Sequence, residues 1–240
     1  MEIYCGCSGF YYESWKEIFY PPDLAKKNWL AYYSQHFKTV EINSSFYHLP
    51  KEKTMTHWYH TVPENFRFTL KGSRFITHIK RLRQISEAVK QFYNLANLLS
   101  DKLACILWQL PSNLSKDLDR LDSFCQNLSP EFQNIIEFRH PSWFEDDVFD
   151  LLSKHHITCC SLSTPINLPE EIIPCSSVAY LRFHGKKVWY DYQYSLKELK
   201  EWEQKILHAK VKRFYIYFNN DVNAYAVKNC QQLLKLVNNR

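Results

Sequence analysis

Asn134-Ile135-Ile136-Glu137-Phe138 leads into Arg139-His140-Pro141; after a helical pattern over Asp146–His155 comes a second extended run, Ile157-Thr158-Cys159-Cys160-Ser161. This strand–helix–strand unit implies parallel strands joined by a covering helix. The same alternation continues in both directions. Upstream lie the candidate strands Ile3–Cys5, Thr39–Ile42, Arg67–Leu70 and Leu103–Leu107, and downstream lie Val178–Phe183 and Arg213–Phe218. Between them fall helical patterns over Lys26–His36, Arg83–Leu99, Asp117–Leu128 and Leu196–His208. A last one near Ala224–Val237 carries Val227, Leu233, Leu234 and Val237 as an apolar stripe.

Eight such units in 240 residues close naturally into a single (β/α)8 TIM-type barrel of the α/β class, with parallel strands, spanning residues 1–240 as one domain. An open doubly wound sheet is the alternative, but its first turn would carry a Gly-rich phosphate loop. The turn present here, Gly6-Cys7-Ser8-Gly9-Phe10, has neither dinucleotide-binding nor P-loop spacing. No repeat, low-complexity run or linker divides the chain.

Composition supports a packed domain. A chain this long buries roughly three-quarters of its unfolded surface, and 16% aromatic residues exclude disorder. Only 4 Gly and 10 Pro exclude collagen-like and linker-rich architectures. No apolar run is long enough for a membrane span. Met1-Glu2-Ile3-Tyr4 has neither basic leader nor apolar signal core, so the expected compartment is the cytoplasm. The 8 cysteines are then expected to be reduced, with Cys105 and Cys159 buried as small hydrophobes. Net charge is +5, a mild basic excess spread along the chain, with Lys71 to Arg83 and Lys186-Lys187 the only local concentrations. That is compatible with nucleic acid or phosphorylated ligands but below a dedicated nucleic-acid module.

Barrel chemistry sits where strands end. The second strand ends in Glu41-Ile42-Asn43, the third in Leu70-Lys71, and the fourth runs into Trp108-Gln109. The fifth ends Glu137-Phe138-Arg139, the seventh Arg182-Phe183-His184, and the eighth Phe218-Asn219. Residues two apart share a strand face, so Glu41 with Asn43, Glu137 with Arg139, and Arg182 with His184 point together. Their apolar neighbours Val40, Ile42, Phe138 and Phe183 suit the helix-packed face. An ion-pair plug is the bland explanation; polar ends on five or six strands favour a site.

In that site Glu41, Glu137 and His184 are the candidate acids and bases, while Asn43, Lys71, Gln109, Arg139, Arg182 and Asn219 are the candidate substrate-binding groups. Lys71, Arg139 and Arg182 would clamp an anion and would repel a metal ion, so neither metal nor other cofactor is expected. Ser-His-Asp catalysis has no support, because no G-x-S-x-G elbow is present. Tyr11, Tyr12 and Trp15 can equally stack on a ligand or cover the core. His36 and His155-His156 read as helix-end residues.

These same segments resemble the YecE-like family, a group of TIM-barrel proteins without an established biochemical function. The resemblance runs in order through Gly6-Cys7-Ser8-Gly9-Phe10 with Trp15, Tyr20-Pro21, Trp29 to Phe37, and Thr39 to Tyr47. It continues through Phe66-Arg67-Phe68 with Lys71, Ile76-Thr77-His78, Gln109-Leu110-Pro111, Glu137 to Trp143, Arg182 to Gly185, and Tyr217 to Asp221 with Ala226-Val227 and Asn229. Cys7, Phe10 and Cys230 depart from the family's usual threonine, tryptophan and alanine. The resemblance implies a barrel rather than a reaction. By analogy with endonuclease IV barrels it suggests a phosphodiester or nucleic-acid ligand, although the arginine-rich mouth does not reproduce that enzyme's metal cluster.

Three functions follow as expectations. The first is an enzyme, with hydrolysis as the reaction class considered, acting on an anionic, phosphate- or nucleotide-containing substrate at the C-terminal mouth. The second is a non-enzymatic binder of nucleic acid or a small anion, with Tyr11, Tyr12 and Trp189 stacking and Lys186 and Lys187 holding phosphates. The third is a glycosidase-like hydrolase using Glu41 and Glu137, weakened because nearby cations depress carboxyl pKa values. The polar strand ends favour the enzyme. The partner expected is a small anionic ligand or nucleic acid, with no membrane; the oligomeric state is not legible.

Overall fold

The computed structural model describes residues 1–173 and 175–238. Eight parallel strands, each paired with the next, close into a barrel. They are β1 (Glu2–Ser8), β2 (Thr39–Ile42), β3 (Arg67–Lys71), β4 (Leu103–Gln109), β5 (Asn134–Glu137), β6 (Thr158–Ser163), β7 (Val178–Phe183) and β8 (Arg213–Phe218). Closure is made by β1 against β8, from Glu2 opposite Arg213 to Cys7 opposite Phe218. The helices are α1 (Trp29–His36), α2 (Ser44–Tyr47), α3 (Glu52–Thr61), α4 (Ser86–Ala96), α5 (Leu118–Gln126), α6 (Asp146–Lys154), α7 (Leu196–His208) and α8 (Tyr225–Asn238). Among the described residues no helix is long and apolar enough to cross a membrane.

The core divides as period-two alternation requires. Val40, Ile42, Phe68, Ile106, Ile136, Phe183 and Phe218 pack outward against helix residues such as Tyr33, Val89, Leu121 and Trp202. Cys105, Leu107, Ile135, Cys160, Leu162, Val178, Tyr180, Tyr215 and Tyr217 fill the inside of the barrel. Inside, the Tyr217 hydroxyl bonds the hydroxyls of Thr39 at 2.6 Å and Thr69 at 2.9 Å, so these three hydroxyls satisfy one another. All eight cysteines are free and buried; Cys105 lies within the barrel and Cys159 outside it.

Two differences from the sequence pattern matter. No helix separates β6 from β7 among the described residues, where eight strand–helix units were expected. Pro165 and Pro169 remove backbone donors that a helix there would use, and the segment instead drops Leu168 into the barrel interior. Conversely, α2 and α3 fill the β2–β3 connection, where no helical pattern was expected.

Several strands also reach further toward the mouth than the apolar pattern suggested. β1 extends to Ser8, β3 to Lys71 and β4 to Gln109, so the polar residues are strand residues held by the ladder. Gly72 follows Lys71 because a Cβ there would lie 2.2 Å from the Trp108 ring. The chain turns off β3 against that indole while its N–H donates to the Leu107 carbonyl at 2.8 Å.

Candidate functional site

Arg182, on β7, is the centre of the mouth and is completely buried. One terminal nitrogen, Nη1, donates to Glu137 Oε2, and the other, Nη2, donates to Glu41 Oε1 at 2.6 Å. A single guanidinium thus joins carboxylates from β2 and β5 across the barrel. Glu41 is completed by Ser8 Oγ on its Oε1 and by the Tyr180 hydroxyl on its Oε2. Glu137 Oε1 accepts from Gln109 Nε2 at 2.8 Å and from Arg139 Nε. Every carboxylate oxygen in the mouth therefore has a donor. Burial alone would raise the Glu137 pKa, but the Arg139 and Arg182 guanidiniums outweigh it and hold the carboxyl well below the usual range.

His184, one turn of alternation beyond Arg182, is also fully buried. Its Nε2 lies 3.0 Å from Arg139 Nη2 and 3.2 Å from Arg182 Nη1. Guanidinium groups only donate, so Nε2 accepts and the proton sits on Nδ1. That nitrogen faces the Asn219 amide at 3.1 Å, which must then turn its oxygen toward the ring. Burial, with Arg139 and Arg182 close by, pushes the His184 pKa well below its ordinary value. The imidazole is a neutral spacer between the two arginines.

Lys71 differs from the other cations. It is nine-tenths buried at the end of β3, and no hydrogen bond or ion pair reaches its Nζ from the described residues. The amine instead sits over the Phe46 ring, 4.3 Å from its centre. Burial first, then Arg182, lower its pKa to about 7, against the opposing pull of Glu137 and Glu41. His78, on the π-helical turn Phe75–Ile79 that follows β3, meets the Phe46 ring edge-on, with 5.0 Å between ring centres. Burial and the surrounding cations lower its pKa to about 4.

Glu41, Gln109, Glu137, Arg139, Arg182, His184 and Asn219 thus form one hydrogen-bonded network. Lys71 stands at its edge without a bonded partner. Asn43 points its amide nitrogen at the Ser8 carbonyl, 3.2 Å away, and its Oδ1 is buried without a partner among the described residues. Arg139 lies two residues past β5, yet its guanidinium returns to the mouth beneath the Trp189 ring at 4.7 Å. Tyr180 and Ser8 were not among the expected site residues. Tyr180 shares its face with Arg182 two residues on, a signal that parity alone supplied; Ser8 was hidden by too short a reading of β1. Trp15 belongs to the core and Tyr11 is exposed, while Tyr12 donates its hydroxyl to the Ser8 carbonyl at 2.6 Å. His36 and His155 bond the Tyr32 carbonyl and the Asp122 carboxylate near their helix ends.

Beside the mouth a cleft of about 420 Å³ opens between the β1 and β2 loops, lined by Tyr11, Tyr12, Asn43, His57 and Trp58. Among the described residues no group of three or more His, Cys, Asp or Glu side chains is placed to hold a metal ion.

The sequence pattern of the family described as "Protein of unknown function DUF72" matches residues 4–240. The chain belongs to the DUF72 family. Among curated relatives it is similar to UPF0759 protein YunF of Bacillus subtilis, 25% identical over 98% of this chain and 94% of that protein. It is also 32% identical to UPF0759 protein YecE of Escherichia coli, over 48% of this chain and 43% of that one. The crystal structure of a DUF72 family protein from Thermotoga maritima superposes with a TM-score of 0.89 at 29% identity, covering 99% of both chains. A DUF72 family protein from Enterococcus faecalis shares the fold at 20% identity, with a TM-score of 0.86 over 98% of this chain and 95% of that one. The membership agrees with the YecE-like resemblance and carries no reaction with it.

Proposed function

We propose that this DUF72 barrel is an enzyme acting on a small anionic substrate bound at its C-terminal mouth. The observation that carries the reading is a charge imbalance. Three cations, Lys71, Arg139 and Arg182, meet two carboxylates, and both carboxylates are paired with Arg182, Glu137 with Arg139 as well. Lys71 is left over, and Arg139 keeps its Nη1 without a partner among the described residues. A buried cation without a counter-ion is costly, so a ligand anion between Lys71 and Arg139 completes the site.

The roles divide accordingly. Glu41 and Glu137 hold the arginines in place, His184 and Asn219 space Arg139 from Arg182, and Arg139 with Lys71 meets the anion. Lys71 is the group whose protonation changes near neutral pH, so it is the side chain suited to moving a proton. This geometry does not favour a glycosidase pair, which needs one carboxyl held protonated; Glu137 is held ionised instead. Nor does it favour a nucleic-acid surface built on Trp189 and Lys186. Trp189 covers Arg139, and Lys186 pairs with Glu170 at 3.2 Å.

The test is calorimetric or thermal-shift titration with phosphate, sulfate and small carboxylates on wild type and on Arg139→Gln. Stabilisation of the wild type that weakens above about pH 7, and is lost in the variant, is the expected result. The reading fails if no anion stabilises the wild type or if the variant responds equally.

A further inference from the structure

We propose that the ε-amino group of Lys71 is a nucleophile that condenses with the carbonyl carbon of an aldehyde, ketone or α-keto acid, forming an imine at the barrel mouth. The inference rests on the mouth being the substrate site, as above, but not on the substrate's charge.

The placement of the amine is the primary ground. Lys71 is the last residue of β3, paired with Leu107 of β4. Its carbonyl accepts from Ser45 Oγ at 2.7 Å, and the next N–H is bonded to β4. The side chain therefore leaves from a backbone fixed on both sides, as a reacting group requires. A lysine kept only as a counter-ion would be paired, as Arg182 and Arg139 are. Here every oxygen of Glu41 and Glu137 is already taken by Ser8, Tyr180, Gln109 or an arginine. The Nζ lone pair is thus not committed to any of the described residues.

The surroundings set its protonation. From β7 and the β5 loop, Arg182 and Arg139 disfavour the ammonium; from β5 and β2, Glu137 and Glu41 favour it, as does the face of Phe46. His78 is neutral and adds no charge that would hold a proton on the amine. Burial tips the balance toward the free amine, as in other lysines that form Schiff bases. A site meant only to hold phosphate would gain more from a lysine that stays charged.

The chemistry needs no outside oxidant or reductant. The amine lone pair forms the C–N bond while the carbonyl π pair moves to oxygen, which takes the proton released by nitrogen. The carbinolamine then loses its hydroxyl with a second proton as water, leaving the imine. Arg139, whose Nη1 has no partner among the described residues, is the group available to offset charge on that oxygen or to bind the carboxylate of a keto acid.

The experiment is reductive trapping of the wild-type protein with sodium cyanoborohydride and either glyoxylate or acetaldehyde. Peptide mapping by mass spectrometry is done between about pH 6 and pH 9. A pKa near 7 gives roughly a thousand-fold more free amine at neutral pH than an ordinary lysine. Lys71 should therefore acquire the reduced adduct at least about ten-fold faster than the exposed Lys51 and Lys210. Lys71→Arg should lose the adduct at this position. Labelling by both probes without any stabilisation by phosphate supports the imine and overturns the anionic-substrate reading. Stabilisation by phosphate with Lys71 labelled no faster than Lys51 overturns the imine and leaves the anion site standing.

Discussion

Replacing Arg182 with methionine removes the one guanidinium that joins Glu41 to Glu137, both completely buried. Breaking a buried pair by deleting one partner costs about 3–5 kcal/mol, because the other charge stays in a poor solvent. Glu137 keeps Arg139 and Gln109, and Glu41 keeps the Ser8 and Tyr180 hydroxyls, so the loss should stay within that range rather than double. For a chain of this length it corresponds to a fall in melting temperature of about 6–20 °C. Denaturant unfolding of wild type and variant at about pH 8 and pH 5.5 measures it.

The pH dependence carries the sharper test. In the wild type, Glu137 is held below the unfolded carboxyl value of roughly 4.3, so its contribution is present above that pH and lost as pH falls through the folded value. In Arg182→Met, Arg139 still opposes burial at Glu137, but with one cation gone the carboxyl is held less far below its usual range. The contribution lost with Arg182 is one that exists only above the unfolded value of roughly 4.3. The deficit of the variant should therefore be fully present at pH 8 and at pH 5.5 and shrink when the measurement is repeated at about pH 3.5. Adding Glu41→Gln and Glu137→Gln to the variant should recover most of the loss at pH 8. A deficit below about 1 kcal/mol at pH 8, or one that does not shrink below about pH 4.3, would show that Glu137 and Arg182 are not a charged pair.

Tyr180→Phe leaves Glu41 Oε2 without a donor and should lower stability by about 2 kcal/mol in urea denaturation, the usual cost of a hydrogen bond to a charged group. A change within about 0.5 kcal/mol would mean that water replaces the hydroxyl. Thiol titration of the denatured chain without reductant should find all eight cysteines free, whereas the native protein should react slowly because each is buried. A pair missing on denaturation, Cys5 and Cys230 first with their sulfurs 3.0 Å apart, would contradict the free-thiol state.

Strand facing was legible because the period of a strand leaves only two choices, and Val40, Ile42 and Phe183 left no doubt which side met the helices. The ends of the strands were less legible. A polar residue closing a strand looks like the start of a loop, so β1 seemed to stop before Ser8 and β3 before Lys71. The missing helix between β6 and β7 was obscured for the opposite reason: eight strands suggested eight helices, although Pro165 and Pro169 argued locally against one. Pairing of Glu41 and Glu137 with Arg139 and Arg182 was open to the sequence as an ion-pair plug, but not which oxygen meets which donor. The partners of Glu41 come from β1 and β7, and no spacing in one chain reports a distance across a barrel.

That difference bears on why the mouth is built of charge. Apolar residues of similar volume would often fill such a space with equal or greater stability, and elsewhere inside the barrel Leu107, Ile135 and Leu162 do so. The ion pairs of Glu41, Arg182, Glu137 and Arg139 therefore need a reason other than holding the fold. Their geometry supplies one. Together with the Ser8, Tyr180 and Gln109 donors they occupy every carboxylate oxygen, and they leave Lys71 buried and unpaired among the described residues, beside two fixed guanidiniums. Removing either carboxylate would free an arginine but would not create a lone amine. Only a network that is complete without Lys71 can keep that amine free for a ligand.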